Sequence, residues 1–226
     1  MSGTESRDAV LGRIRKSLGA ADQDPARRGA VQMRIDRHAA NLIPARARQS
    51  DEDQRTFFLE RLERNGATVT RLNDAARIPE TIQQYLRGNN LPARIRYGED
   101  EFLGGLPWDD TPQLERQHGP ATVDDTVSLS HASAAAAETG TLFLASGPAN
   151  PTSLNFLPEN HILVIRADDL VGSYEEAWDR FRDVYGPRTL PRAVNLISGP
   201  SRTADIEQTI VMGAHGPKRL HVILVE

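Results

Sequence analysis

A short apolar run, ILVIR at residues 162–166, predicts a strand that is buried on both of its faces. Four further segments follow it toward the C-terminus: a helix over 174–184, a strand over 194–197, a helix over 204–211 and a closing strand over 220–225. Short apolar strands that are separated by helices are typical of parallel sheets. The sequence therefore predicts an α/β protein whose sheet is covered on both faces.

The chain before this run continues the same pattern. The body is predicted to begin near Ser50, which can cap a helix together with Asp53, and Gly66 has the position of that helix's end. Pattern and composition predict further strands and helices. The strands are expected at 67–72, 93–97, 127–129 and 141–145, and the helices at 79–86 and at an alanine-rich segment 132–137.

Charge separates a basic N-terminal arm from an acidic body. The whole chain has a net charge of -4, from 27 Lys plus Arg and 31 Asp plus Glu, yet residues 1–48 carry 10 basic and 5 acidic side chains. We predict a helical arm over 1–48, with its second helix ended by Pro44, and a body over 49–226. The arm has no aromatic residue for base stacking, which makes nucleic acid an unfavoured partner. Contact with the body, or with a sister subunit of a homo-oligomer, is the alternative.

Composition excludes several classes of function. The chain has no cysteine, which rules out disulfides, thiolate zinc sites, catalytic thiols and self-ligated iron–sulfur clusters. No apolar run reaches the roughly 18 residues of a membrane helix. The polar N-terminus contains no secretory signal, so a cytoplasmic location is expected. No metal site or cofactor is predicted, because metal-ligand spacings, Gly-x-Gly-x-x-Gly and Gly-x-Ser-x-Gly are all absent.

Three polar turns are the candidate binding region. They lie at 138–141, 146–150 and 198–205, next to predicted strands. Ligands of open parallel sheets bind outside the carboxyl ends of the strands, so we expect these turns to surround one ligand. Thr139, Gly140 and Thr141 are the binding candidates of the first turn.

The third turn is predicted to open a helix and to bind an anion at that helix's N-terminus. Its candidate residues supply a flexible backbone, hydroxyl groups and one planar donor fork. They are Ser198, Gly199, Ser201, Arg202, Thr203 and Asp205. The alternative is a plain helix cap, in which Ser201 or Thr203 satisfies free N–H groups and Asp205 favours the helix dipole.

Two residues are candidate acids or bases. Glu138 precedes the first turn's threonines and can act as a general base, or it is a solvated residue at a helix end. His215, in the segment His-Gly-Pro, can exchange a proton near neutral pH, or it is a turn residue bonded to the backbone.

Four segments occur in an order that is specific to one family. They are AETGT at 137–141, LPENH at 157–161, ISGPSRTADIE at 197–207 and GAHGP at 213–217. Together they resemble the LUD-domain family, and within it the lactate utilization protein C group, over roughly residues 51–226.

This resemblance implies a fold and a function. The fold is a Rossmann-like three-layer αβα arrangement with a mostly parallel sheet, similar to the NagB/RpiA/CoA-transferase superfamily. The function is that of a non-redox subunit that supports oxidation of L-lactate to pyruvate together with two iron–sulfur partners, proteins A and B, and a small carboxylate is then the expected ligand. The alternative is a stand-alone enzyme of that superfamily, acting on a phosphorylated, CoA-linked or folate substrate. The resemblance supplies no catalytic residues.

Overall fold

The computed structural model describes residues 3–19, 24–206 and 209–226. The chain divides into two compact units, Met1–Asn41 and Leu42–Glu226. This division falls a few residues before the boundary expected after Arg48, and the short 3-10 turn Ala45–Ala47 belongs to the second unit.

The first unit consists of two helices, α1 (Gly3–Ser17) and α2 (Pro25–Arg37). The second helix ends at Arg37, earlier than the predicted end at Pro44. Its start is fixed by Asp24, whose carboxylate accepts hydrogen bonds from the Ala26 and Arg27 N–H groups at 3.0 and 3.2 Å, and by Pro25 in the first turn. It ends at His38, which has a left-handed backbone.

The second unit contains four helices and twelve strands within its described residues. The helices are α3 (Asp51–Arg64), α4 (Ile78–Gly88), α5 (Glu101–Gly104) and α6 (Tyr174–Tyr185). The strands are β1 (Thr68–Leu72), β2 (Arg94–Tyr97), β3 (Glu115–His118), β4 (Val127–His131), β5 (Ala134–Ala136), β6 (Thr141–Ala145), β7 (Asn160–Arg166), β8 (Leu170–Val171), β9 (Val194–Ile197), β10 (Arg202–Ile206), β11 (Thr209–Met212) and β12 (Arg219–Val225).

A six-stranded sheet forms the centre of this unit. Its strand order is β1-β12-β7-β4-β2-β3, and every neighbouring pair is parallel. Side chains of β7 alternate between two clusters: Ile162 and Val164 pack on one face, Leu163 and Ile165 on the other. The predicted α/β class with a mostly parallel sheet is confirmed, because both faces of these apolar strands are buried.

Helices and a second sheet cover the two faces of the central sheet. Helix α4 packs on one face through Ile78, Ile82 and Leu86. The other face is covered by α3 and by a four-stranded sheet of order β8-β5-β6-β9. Helix α6 packs on the outer side of this second sheet through Ala177 and Phe181.

The start of α3 and the chain just after its end match the sequence prediction closely. The Ser50 hydroxyl accepts a hydrogen bond from the Asp53 N–H and donates one to the Asp53 carboxylate at 2.6 Å. Gly66 follows the helix with a φ of 89°, a left-handed conformation that glycine adopts without strain.

Two predicted helices are wrong. The alanine-rich segment 132–137 contains strand β5, whose three alanines are fully buried between neighbouring layers. In the segment 204–211, the described residues 204–206 and 209–211 belong to an antiparallel pair of strands, β10 and β11. Tertiary packing overrides the helix propensity of alanine in the first case. In the second, the β-branched residues of the sequence favour strands.

None of the helices in the described ranges has the length and the apolar character that crossing a membrane requires.

Candidate functional site

Antiparallel pairing of β6 with β9 brings the first and third polar turns together. Leu142 lies opposite Ile197, so Thr141, the first residue of β6, meets Ser198, the residue after β9. The Thr141 and Ser198 hydroxyl oxygens are 2.6 Å apart. The two turns therefore converge as expected, although the expected cause was wrong, because β6 and β9 are not strands of the parallel sheet.

The second turn is not part of this convergence. It follows the opposite end of β6, where the Pro148 carbonyl accepts a hydrogen bond from the Glu99 N–H at 2.9 Å. The Ser146 hydroxyl accepts one from the Ala193 N–H, also at 2.9 Å. From these contacts we assign the second turn a role in packing against neighbouring segments of the chain.

Four hydroxyl groups form a cluster where the two turns meet. The buried Thr141 Oγ1 lies 2.8 Å from Thr139 Oγ1, 2.7 Å from the Tyr174 hydroxyl and 2.6 Å from Ser198 Oγ. A hydroxyl has one donor and two acceptor sites, so three partners saturate Thr141. Thr139, Ser198 and Tyr174 are only partly buried and keep further hydrogen-bonding capacity.

We expect Thr141→Val to lower the free energy of unfolding by about 1–2 kcal/mol, because it removes the hydroxyl that joins three others and keeps the shape of the strand. Urea denaturation measures the loss. Thr139→Val is the matched control, since the Thr139 hydroxyl contacts Thr141 and is partly exposed. An equal or larger loss for the control variant would contradict the central position of Thr141.

Glu138 is buried beside the start of α6. Its Oε1 accepts a hydrogen bond from the Tyr174 N–H at 3.0 Å, and its Oε2 lies 3.4 Å from Arg46 Nη2. A carboxylate at this place satisfies a free N–H group of the helix and interacts favourably with the helix dipole. Both carboxylate oxygens thus have protein partners, and Glu138 is not among the residues that line the cavity described below.

The third turn packs against the end of α3. The Asn65 side chain donates a hydrogen bond to the Ser198 carbonyl at 2.7 Å, and the Arg202 guanidinium donates to the Asn65 carbonyl. Because Arg202 begins a strand, the helix N-terminus predicted after this turn does not exist. Thr203 Oγ1 is buried and finds no partner in the described part of the chain, and the side chain of Asp205 lies outside that part.

A cavity of about 200 Å³ lies between the third turn and the His-Gly-Pro segment. The Ser201 N–H donates to the Pro217 carbonyl at 2.8 Å and joins the two segments. Four of the predicted site residues line the cavity. They are Ser198, Gly199, Ser201 and His215.

The cavity is placed at the amino ends of β7 and β12. His161 is the second residue of β7, and Leu220 is the second residue of β12. The rule that ligands bind at the carboxyl ends of parallel strands does not locate this cavity. At the carboxyl edge the structure has a separate pair, His131 Nδ1 and Asp100 Oδ2, 3.3 Å apart. Burial alone would raise the pKa of Asp100, but hydrogen bonds from His131 and from the Leu103 N–H lower it.

Two buried residues of the cavity wall were missed by sequence reasoning. Asn155 and His161 are each 1% exposed. Both amide atoms of Asn155, and Nδ1 of His161, have no hydrogen-bond partner among the residues that the structure describes. Leaving such groups unpaired costs about 1–3 kcal/mol each, so each calls for an explanation. The available sequence signal was His161, the last residue of LPENH, immediately before the apolar run 162–166.

Burial keeps His161 neutral. Desolvation lowers the pKa of His161 to about 3, and its Nε2 lies 3.1 Å from Ser130 Oγ. No Lys, Arg, Asp or Glu is found among the described residues that line the cavity. Its wall combines amide, imidazole and hydroxyl groups with apolar side chains. Nor do three His, Asp or Glu side chains of the described ranges gather as a metal site would require.

Comparison with known proteins identifies the family. The LUD domain matches residues 56–225. A lactate utilization protein C from Halalkalibacterium halodurans is 34% identical over 167 residues, which are 70% of each chain. Another protein of that name, from Shouchella clausii, is 39% identical over 90 residues, 40% of this chain and 39% of that relative.

A solved structure supports the same fold. The crystal structure of a DUF162 family protein from Deinococcus radiodurans superposes with a TM-score of 0.58 at 24% identity. The superposition covers 79% of this chain and 99% of that one. The four sequence segments named above, the fold and the range that the LUD domain matches agree with one another. The chain therefore belongs to the LUD-domain family.

Proposed function

We propose that this protein is a subunit of a lactate utilization system and supports the oxidation of L-lactate to pyruvate without carrying electrons itself. The observation that carries the proposal is the 34% identity, over 70% of both chains, to a protein named lactate utilization protein C. The cytoplasm is the proposed location, as expected from the sequence.

Electron balance requires partners. Conversion of lactate to pyruvate releases two electrons and two protons. The chain has no cysteine, so it cannot ligate an iron–sulfur cluster through thiolates. We therefore propose that the electrons pass to iron–sulfur partner proteins, and that this chain contributes binding or assembly.

The size and wall of the cavity support a small ligand. About 200 Å³ is below the roughly 300–1,000 Å³ of pockets for drug-sized molecules, and it suits a three-carbon acid such as lactate or pyruvate. Ser201 and His215 line its more exposed side, where a carboxylate keeps contact with water. Arg202, the expected carboxylate partner, does not line the cavity and contacts Asn65 instead.

The alternative, a stand-alone enzyme for phosphorylated, CoA-linked or folate substrates, gains no support from this cavity. Such substrates are larger, and their phosphate or carboxylate groups are usually bound by Arg or Lys, which the described part of the cavity wall lacks.

Isothermal titration tests the ligand. We expect L-lactate and pyruvate to give saturable heats with the wild-type chain, and Ser201→Ala with His215→Ala to weaken both. Arg202→Ala is the control and should bind as the wild type does, because its guanidinium lies over the end of α3. Absence of any heat with either acid, or a loss restricted to Arg202→Ala, would refute the proposed placement of the ligand.

Affinity purification tests the partners. A tagged chain, expressed in cells grown on lactate, is expected to retain proteins whose visible absorption shows iron–sulfur clusters. Retention of none, from an extract in which such proteins are detected, would contradict a shared assembly.

A further inference from the structure

We propose that the buried wall of the cavity, formed by Asn155 and His161, recognises the uncharged oxygen at carbon 2 of a small acid, while the carboxylate remains at the exposed side. The inference rests on the proposed function, because it states which group of the small acid is recognised and by which residues.

The backbone that carries Asn155 and the imidazole ring of His161 are held in place before any ligand binds. Asn155 ends a short 3-10 turn, Thr152–Asn155, that is anchored where the Leu154 carbonyl accepts a hydrogen bond from the Ser128 hydroxyl at 2.6 Å. His161 is fixed in β7 and bonded to Ser130. A rigid wall loses little entropy on binding, which is the advantage of a preorganised site.

The unpaired atoms match a hydroxyl or keto oxygen. The Asn155 amide offers two donor hydrogens and one acceptor oxygen, and a neutral imidazole offers one nitrogen of each kind. A hydroxyl group can donate to one of these atoms and accept from another, whereas a keto oxygen can accept from the amide. A methylene group can do neither, so the wall should discriminate lactate and pyruvate from propionate.

Burial decides the orientation of the ligand. A carboxylate placed against this nearly solvent-free wall, with no cation beside it, would lose most of its hydration. That loss has a high cost in free energy. Asn155 and His161 are 1% exposed, whereas His215, which also lines the cavity, is exposed. The charged end of the acid is therefore directed to His215 and Ser201, and the neutral oxygen to Asn155 and His161.

The stability of an Asn155 variant separates this role from a structural one. Leucine has nearly the shape of asparagine and no polar atoms. If the Asn155 amide is unpaired in the free protein, Asn155→Leu removes a buried polar group without breaking a hydrogen bond, and stability should increase. Asn160 is the matched control. It is also buried, but its amide donates to the Thr126 carbonyl at 3.0 Å and accepts from Arg219 at 3.3 Å.

The experiment combines thermal unfolding with titration of L-lactate, pyruvate and propionate. We expect Asn155→Leu to raise the melting temperature by roughly 2–4 °C and Asn160→Leu to lower it. Wild type should bind lactate about tenfold or more tightly than propionate, the equivalent of one hydrogen bond. Asn155→Leu should abolish this preference, and Asn155→Ser provides the same comparison if the leucine variant does not fold.

The outcomes distinguish the two proposals. Lactate binding whose preference over propionate survives in both Asn155 variants would overturn this inference and leave the proposed function standing. A lower melting temperature for Asn155→Leu, similar to that of Asn160→Leu, would show that the amide has a structural role and would also overturn it. Failure of the wild type to bind any of the three acids would overturn the proposed ligand and this inference together.

Discussion

Between pH 6.5 and pH 4.5 the free energy of unfolding is expected to fall steeply, because two buried histidines remain neutral in the folded protein. Burial lowers the pKa of His161 to about 3 and that of His221 to about 4, from an ordinary value of 6.5. In this range the unfolded chain binds two protons that the folded chain does not. Stability from both groups is fully present above pH 6.5 and is lost as the pH falls toward their folded pKa values.

The expected slope is large. Each histidine that is charged only in the unfolded chain contributes up to about 1.4 kcal/mol per pH unit, so the pair contributes up to roughly 3 kcal/mol per unit. The titration of carboxylates changes the free energy of unfolding at lower pH values. Asp125 is the example: burial would raise its pKa, but hydrogen bonds from the Thr122 N–H and Arg96 lower it below 3.8. The window above pH 4.5 therefore reports mainly on the histidines.

Urea denaturation at several pH values measures this slope. His161→Gln and His221→Gln should each reduce it by about half, because glutamine does not titrate. Thr141→Val is the control, since it removes a hydroxyl group and should lower stability by the same amount at every pH. A slope that neither glutamine variant changes would show that the two histidines accept protons in the folded protein.

The central sheet could be predicted because its signal is local. Residues 162–166 are apolar except for Arg166, residues 220–225 are apolar except for His221, and each of these strands is buried on both faces. The cap at Ser50 and the turn at Gly66 are likewise decided within a few residues. Such features depend on the residue types at a few neighbouring positions, which can be taken directly from the sequence.

The second sheet could not be predicted in this way. Ala134, Ala135 and Ala136 form a strand because small side chains fit between the layers around them, and that requirement comes from distant residues. The segment 202–212 had a local signal, β-branched residues at 203, 206 and 209–211, but the resemblance of its start to a helix cap outweighed it. With that helix, the predicted anion site at its N-terminus is also lost.

The cavity was predicted in part. Ser198, Gly199, Ser201 and His215 were found because glycine and hydroxyl groups mark turns. Asn155 and His161 were missed, since only burial distinguishes an unpaired polar group from the many that are solvated. The first and third turns converge because β6 pairs with β9 in antiparallel orientation, and no local sequence pattern predicts that pairing.

Gly140, in the first turn, packs closely against helix α3. It has a φ of 68°, and a Cβ atom there would lie 2.8 Å from Arg61 Cβ and 3.2 Å from the Leu62 backbone nitrogen. Alanine at this position must adopt a left-handed backbone and also push against the helix. Close packing alone therefore requires glycine here, independently of its predicted part in ligand binding.

We expect Gly140→Ala to lower the free energy of unfolding by about 2–5 kcal/mol, as left-handed strain costs roughly 1–2 kcal/mol and overpacking about 1–3 kcal/mol. Gly147→Ala is the control. No heavy atom lies within 4 Å of its Cβ position, so its change should stay within about 0.5 kcal/mol. Urea denaturation compares the two variants, and titration with lactate gives the second readout. A stable Gly140→Ala chain with weakened lactate binding would reverse the conclusion, because glycine would then be needed for the ligand's approach and not for the packing of the turn on α3.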